Sequence, residues 1–148
     1  MLPSRVTRGH EPIPHTADVG LRAWGPSVAD AFEEAAVGLV KLGLGRPIGG
    51  RAGLWESIEL EADDLEGLAY AWLNELIAIG EIHRAAVTAV ADLRVEGPGP
   101  AQLVARVGLR RFAGSADRTL RHLKAATYHG LRVWPSGSGW TLVAYVDV

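Results

Sequence analysis

The sequence contains no cysteine among its 148 residues. This absence excludes a disulfide framework, a thiolate zinc site and a cysteine nucleophile, and it fits a reducing compartment. No apolar run reaches the roughly 18 residues that a membrane-spanning helix requires. Residues 1–14 are rich in proline and charge and have no apolar segment, so they do not form a secretory signal. We therefore expect a cytoplasmic protein with no membrane partner.

Common nucleotide-binding and catalytic motifs are also missing. The glycines between positions 43 and 50 lack the Gly-Lys-Ser/Thr ending of a phosphate-binding loop. Ser138 lies between two glycines at the tip of a predicted hairpin, whereas a serine nucleophile elbow joins a strand to a helix. With so few residues in catalytic spacings, the sequence argues against an enzyme.

The composition is that of an ordinary globular domain, with 48% hydrophobic and 22% charged residues. The length predicts one domain over residues 1–148. The net charge is −2, but acidic residues dominate positions 56–96 and basic residues dominate positions 101–132. Such a separation of charge either steers a charged partner or simply gives two solvated faces.

Hydrophobic periodicity and turn signals predict the order β-α-β-α-β-β-β-β, which is typical of an α+β domain. The sheet is expected to be mixed or antiparallel, with about six strands and two main helices packed on it. Two hairpins are predicted, one around Gly97–Pro100 and one around Pro135–Gly139. Residues 1–14 are expected to be a flexible lead, because its prolines discourage regular pairing. Strands are predicted at 19–24, 55–61, 86–95, 103–112, 125–134 and 140–146, and helices at 28–42 and 65–79.

Capping signals are present at the start of both predicted helices. Ser27 and Asp30 form a short capping box before the first helix. Asp63 and Asp64 precede the second helix, where we expect Glu66 to complete a box with Asp63. Gly80 is expected to end this second helix.

Carboxylates stand at the ends of two predicted strands. Asp18 precedes the first strand, and Asp147 ends the last strand and is followed only by Val148. Two side-chain carboxylates and a terminal carboxylate are hard oxygen ligands, which suit Mg²⁺, Ca²⁺ or Mn²⁺ better than zinc. The alternatives are that Asp18 only forms a turn through its side chain, and that the terminus is frayed and solvated.

A polar and aromatic cluster interrupts the strand predicted at 125–134. It includes Lys124, Tyr128 and His129, followed by Gly130. A general base or an RNA contact is one interpretation of this cluster, and a half-exposed strand with a bend at Gly130 is the other.

Several segments, taken together, resemble the archease family in order and over nearly the full length. They are His15-Thr16-Ala17-Asp18-Val19-Gly20-Leu21-Arg22-Ala23, Ala31-Phe32-Glu33-Glu34-Ala35-Ala36, Trp72-Leu73-Asn74-Glu75-Leu76, Lys124-Ala125-Ala126-Thr127-Tyr128-His129-Gly130-Leu131 and the ending at Asp147-Val148. The resemblance implies a non-enzymatic, chaperone-like activator of the RNA-splicing ligase. That ligase joins 2′,3′-cyclic-phosphate or 3′-phosphate RNA ends to 5′-hydroxyl ends in tRNA splicing and RNA repair.

The resemblance also implies that the activator promotes guanylylation of the ligase and its repeated turnover with the help of a divalent metal. The implied metal ligands are Asp18, Asp147 and Val148, and the expected ion is Ca²⁺, with Mg²⁺ or Mn²⁺ as alternatives. His15, Lys124 and His129 are candidate contacts for the ligase, and RNA is expected to be reached indirectly, through the ligase.

Two departures from the family pattern and two competing functions accompany this interpretation. Pro14 stands where the family often has an acid, which could weaken the metal site. The family usually has aromatic and acidic residues after Leu76, whereas residues 77–81 here are Ile-Ala-Ile-Gly-Glu, a difference that could alter partner specificity. The competing functions are a metal-dependent hydrolase that uses His15, Asp18 and His129, and a plain RNA-binding module that uses the basic segment 101–132.

Overall fold

The computed structural model describes residues 7–13, 18–46, 49–114 and 119–148. Within these residues the chain forms two helices and seven strands, and neither helix is long and apolar enough to cross a membrane. The elements are β1 (Gly9–Ile13), β2 (Asp18–Gly25), α1 (Val28–Leu44), β3 (Leu54–Ala62), α2 (Leu65–His83), β4 (Ala85–Glu96), β5 (Ala101–Arg111), β6 (Ala125–Ser136) and β7 (Gly139–Asp147).

The strands divide between two antiparallel sheets. The terminal sheet has the order β1-β2-β7-β6, and the central sheet has the order β3-β5-β4. The predicted α+β class and both predicted hairpins, β4–β5 and β6–β7, are confirmed. The two sheets arise because β7 pairs with β2, whereas β5 pairs with β3.

Strand β1 corrects the expectation for residues 1–14. Gly9–Ile13 pair with β2, so the prediction that prolines would prevent regular pairing is wrong for this segment. Pro12 lies opposite Leu21 and is tolerated because β1 is an edge strand, which needs only one side of its backbone for pairing.

Helix α1 begins where its sequence predicts and ends at Leu44, two residues beyond the predicted end at position 42. The Ser27 side chain accepts a hydrogen bond from the Asp30 backbone N–H, and the Asp30 carboxylate accepts one from the Ser27 N–H, which completes the capping box. Gly45 ends the helix in the left-handed conformation, with φ of 78°.

Helix α2 differs from its prediction at both ends. Gly80 does not end it; the helix continues to His83, and Arg84 adopts the left-handed conformation, with φ of 49°. Asp64 is the N-cap and accepts a hydrogen bond from the Gly67 N–H. The expected box between Asp63 and Glu66 is wrong, because the Glu66 carboxylate accepts a hydrogen bond from the Val133 N–H of β6, at 2.8 Å.

Both helices contribute to one core. Trp72 of α2 is fully buried, and its indole N–H donates a hydrogen bond to the Phe32 carbonyl of α1 at 2.9 Å. Leu21 and Leu142 of the terminal sheet and Leu103 of the central sheet belong to the same cluster. The helices therefore cover one face of the terminal sheet and leave its other face outside the core.

Candidate functional site

The two predicted carboxylates face each other. Asp18, the first residue of β2, lies directly opposite Asp147, the last residue of β7. Side chains of directly opposed residues project from the same face of a sheet, and their Cα atoms are separated by about 4.5–5.5 Å. The structure thus brings together two residues that are far apart in the sequence.

The carboxylate pair lies on the face of the terminal sheet that is away from the helices. Val19 and Val146, the next residues on each strand, pack in or against the core, so Asp18 and Asp147 point the other way. The Oδ1 atom of Asp18 is buried, whereas Asp147 is exposed and Val148 is 43% exposed. The carboxylate pair therefore stands at the rim of the sheet, with one oxygen of Asp18 buried and Asp147 exposed.

Strand β6 brings Lys124 to the same rim. The Lys124 backbone N–H donates a hydrogen bond to the Asp147 carbonyl at 2.8 Å, and Ala125 lies opposite Asp147. The Lys124 side chain is exposed. Of the three candidate contact residues, Lys124 is the one that the described structure places at the carboxylates.

Asn74 of α2 holds this end of β6 in position. Its amide donates to the Ala126 carbonyl at 3.2 Å, and its Oδ1 accepts from the Ala126 N–H at 2.9 Å. Asn74 belongs to the motif Trp72-Leu73-Asn74-Glu75-Leu76, but the motif alone does not indicate its role. The available signal was an amide within an otherwise apolar helix, because a partly buried amide needs hydrogen-bond partners.

The chemistry of the pair suits a cation. Like charges directly opposite each other destabilise a sheet, and a divalent ion bound to both carboxylates would relieve that repulsion. Among the described residues no group of three or more His, Asp or Glu side chains could hold a metal, so Asp18 and Asp147 are a pair of candidate ligands.

The histidines do not complete a hydrolytic site in the described structure. His15 lies outside the described residues. His129 is exposed in the irregular part of β6 between Thr127 and Arg132, where the pairing with β7 shifts. Strand β7 separates β6 from β2, so His129 and Asp18 lie on strands that do not pair with each other. The described pairing therefore gives no support to the hydrolase hypothesis.

The charge separation seen along the sequence does not persist in space. In the central sheet, the basic strand β5 lies between the acidic strands β3 and β4. Arg106 of β5 stacks over Trp55 of β3, with 4.9 Å between its guanidinium carbon and the ring centroid, and lies 3.8 Å from the Asp92 carboxylate of β4. This mixing of charge counts against an RNA-binding module that uses the whole basic segment 101–132.

A cavity of about 740 Å³ lies near the ends of both helices, away from the two aspartates. Its lining is mainly apolar and includes Leu39, Leu76 and Phe112. His122, at its rim, contacts the Glu81 carboxylate at 2.7 Å. Asp18 and Asp147 do not line this cavity, so the cavity is separate from the carboxylate pair.

The model of the Archease protein family (MTH1598/TM1083) matches residues 10–148. The chain belongs to the archease family. A relative named protein archease, from Saccharolobus islandicus, is 31% identical over 145 residues, which cover 95% of this chain and 99% of the relative. The resemblance read from the sequence motifs is therefore confirmed.

Solved archease structures share the fold. The solution structure of protein 1598 from Methanobacterium thermoautotrophicum has a TM-score of 0.75 at 19% identity, covering 95% of this chain and 99% of that one. The crystal structure of an archease from Thermotoga maritima, described as a possible chaperone, has a TM-score of 0.54 at 19% identity, covering 93% and 96%. The archease family is named as a protein family and not for an enzymatic activity, which agrees with the expectation of a non-enzyme.

Proposed function

We propose that this archease activates the RNA-splicing ligase that joins 2′,3′-cyclic-phosphate or 3′-phosphate RNA ends to 5′-hydroxyl ends. It would promote guanylylation of the ligase and its repeated turnover in tRNA splicing and RNA repair, acting in the cytoplasm as a chaperone-like partner. Family membership supports the general role. The observation that carries the specific proposal is the direct opposition of Asp18 and Asp147 across β2 and β7.

In this proposal, Asp18, Asp147 and the terminal carboxylate of Val148 hold one divalent cation. Oxygen ligands of this kind favour Ca²⁺, with Mg²⁺ and Mn²⁺ as alternatives. When bound, the ion would supply positive charge able to attract phosphate oxygens at the interface with the ligase. The antiparallel pairing of β2 and β7 supports the proposal, because it holds the two carboxylates on one face without a change of fold.

Residues beside the carboxylates would contact the ligase. Lys124 stands at the rim next to Asp147 and presents an exposed ammonium group. His129 is exposed farther along β6 and would contact the ligase at a distance from the metal. His15 immediately precedes the segment that leads into Asp18 and remains a candidate contact.

The proposal is tested by measuring guanylylation of the purified ligase from the same organism with labelled GTP, at increasing concentrations of the archease. Asp18→Asn keeps the size of the side chain and removes its charge. We expect this variant to lower both calcium affinity and stimulation of the ligase by roughly tenfold or more. Undiminished stimulation by a folded Asp18→Asn protein would contradict the proposal.

Asp92→Asn is the matched control. Asp92 is an exposed carboxylate of the central sheet, with its side chain 70% exposed and a loose contact to Arg106 at 3.8 Å. The backbone of Asp92 is in the left-handed conformation, with φ of 54°, which asparagine also adopts readily. We expect this variant to stimulate the ligase as the unmodified protein does.

A further inference from the structure

The outer face of the terminal sheet, meaning the face away from the helices, carries an ordered set of side chains. The registers of β2, β7 and β6 place residues in rows across the three strands. Directly paired residues project from the same face, so each row presents its side chains together. From the carboxylate rim inward, the rows are Asp18-Asp147-Ala125, Gly20-Tyr145-Thr127, Arg22-Val143-Arg132 and Trp24-Thr141-Trp134.

The third row contains two arginines on either side of Val143. β2 and β6 are two strand spacings apart, so the Cα atoms of Arg22 and Arg132 are separated by roughly 10 Å. Long guanidinium side chains at this separation can approach one phosphate group or two consecutive ones. This row therefore presents a pair of cations in the middle of the face.

Both arginines are available to a ligand. Arg132 is exposed and makes no ion pair with a carboxylate in the part of the chain that the structure describes. Its guanidinium stacks over the Trp134 ring at 4.4 Å, an arrangement that leaves the N–H edge open for hydrogen bonds. Arg22 is 48% exposed and 3.7 Å from Glu11, and an exposed pair of this kind is weak.

Aromatic rings accompany the arginines, and glycines on neighbouring strands make room for them. The Trp24 ring lies so close to Gly9 of β1 that a Cβ atom there would be 2.5 Å from Cζ2. The Tyr145 ring lies equally close to Gly20 and Gly130. A Cβ atom added at Gly20 would be 2.9 Å from Cε1 of the ring, and one added at Gly130 would be 2.7 Å from Cε2. These rings are half-buried, so part of each remains open to solvent.

We propose that this outer face binds single-stranded RNA directly. This interaction is separate from the proposed activation of the ligase, which does not require it. Guanidinium groups bind phosphates, and half-exposed rings such as Trp24 and Tyr145 can stack on unpaired bases, the combination by which proteins hold single strands. The Trp134 ring, which the Arg132 guanidinium covers, would position that guanidinium for a phosphate. Charge complementarity favours this occupant over an acidic or apolar protein surface, because the arginines and aromatic rings alternate as phosphates and bases do along a strand.

The central sheet provides an internal comparison. Its outward face also holds an arginine over a tryptophan, Arg106 over Trp55. There, however, three carboxylates surround the pair: Asp92 lies 3.8 Å from Arg106, and Glu59 and Glu61 project from the same side of β3 as Trp55. Three carboxylates around one arginine repel phosphate more strongly than Glu11 does beside Arg22, so this second pair is not expected to bind RNA.

The experiment measures fluorescence anisotropy of a labelled oligouridine RNA with the complete chain, without ligase. Arg132→Ala is expected to weaken binding about tenfold and to lower the slope of log Kd against log salt by about 0.7. Arg106→Ala removes the same chemical unit from the central sheet and is expected to change Kd less than about twofold. For two phosphate contacts, raising the salt from 50 to 200 mM should weaken binding by the unmodified protein about sevenfold.

Aromatic variants give a second matched comparison. Trp134→Leu is expected to weaken RNA binding by at least about fivefold, and Trp55→Leu is expected to leave it unchanged. Thermal unfolding of each variant separates loss of binding from loss of fold. The proposal is overturned if the unmodified protein fails to bind the RNA, or if Arg106→Ala and Arg132→Ala weaken binding equally. It is also overturned if Arg132→Ala lowers affinity for the ligase alone, since the face would then be a protein-docking surface.

Discussion

Asn74 and Ala126 are joined by two hydrogen bonds that pin an edge strand to a helix. The Asn74 amide group donates to the Ala126 carbonyl, and its oxygen accepts from the Ala126 N–H. Glu66 also holds β6 against helix α2, farther along the strand, because its carboxylate accepts a hydrogen bond from the Val133 N–H. Helix α2 thereby satisfies backbone groups of β6 that no further strand covers, and it holds Ala125 opposite Asp147.

Asn74→Ala should loosen the start of β6. Removing the amide leaves the partly buried Ala126 N–H and carbonyl without these partners, which should lower the free energy of unfolding by about 1–3 kcal/mol. Urea denaturation measures the loss, and amide hydrogen exchange of residues 125–127 locates it. Gln102→Ala, which removes an exposed amide from β5, should change stability by less than about 0.5 kcal/mol. Equal losses in the two variants would show that the bonds to Ala126 contribute nothing.

Asp18→Asn should stabilise the protein in chelator but make it less stable than the unmodified protein when a divalent ion is bound. In chelator, the substitution removes repulsion with Asp147 and should raise the free energy of unfolding by a few tenths to about 1 kcal/mol. With calcium present, the unmodified protein should gain thermal stability and the variant should gain little. Differential scanning fluorimetry in chelator, CaCl₂ and MgCl₂ tests this. A calcium-induced rise in Tm that is the same in both proteins would exclude Asp18 as a ligand.

Glu34 should make stability depend on pH in the acid range. Burial alone would raise the pKa of the Glu34 carboxyl, but hydrogen bonds from His10 and Arg8 and the charge of both residues outweigh burial and lower the pKa. The contacts are 2.8 Å from His10 and 2.6 Å from Arg8. Because the folded pKa is depressed, the contribution is complete above the ordinary value of 4.5 and is lost as the pH falls below it.

Glu34→Gln should therefore lower the free energy of unfolding at pH 7 by roughly 1 kcal/mol and by clearly less at pH 3. Urea denaturation across this range measures the difference. Glu33→Gln is the control, because the Glu33 side chain is 33% exposed, compared with 15% for Glu34, and contacts Arg8 at 2.6 Å. The same loss for Glu34→Gln at both pH values would rule out the ionised carboxylate as the cause.

Gly20→Ala should disturb the packing on the outer face. The added Cβ would lie 2.5 Å from the Ile13 Cβ and 2.9 Å from the Tyr145 Cε1, so β1 or the tyrosine must shift. We expect a loss of about 1–3 kcal/mol in the free energy of unfolding, measured by thermal or urea denaturation. Gly49→Ala has open space around the new Cβ and should be neutral within about 0.5 kcal/mol. A neutral Gly20→Ala would show that β1 adapts without cost.

Local features of the fold could be predicted because their causes are local. The hydroxyl of Ser27 and the carboxylate of Asp30 are three residues apart, so the capping box needs no tertiary structure. The turns that join β4 to β5 and β6 to β7 are likewise encoded by neighbouring glycine, proline and serine residues. The same reasoning fails at Gly80, where packing of α2 carries the helix past a residue that usually ends one.

By itself, the sequence determined the helices, the hairpins and the motif residues Asp18 and Asp147. Only the tertiary structure decided that these residues are opposed, that β1 joins the sheet and that β5 lies between acidic strands. The reason is that pairing between distant strands depends on which faces the core buries, and shifting the register by one residue would turn every side chain of a strand to the other face. Val19 and Leu21 of β2 and Ala144 and Val146 of β7 must meet the helices together, and that requirement places Asp18 beside Asp147.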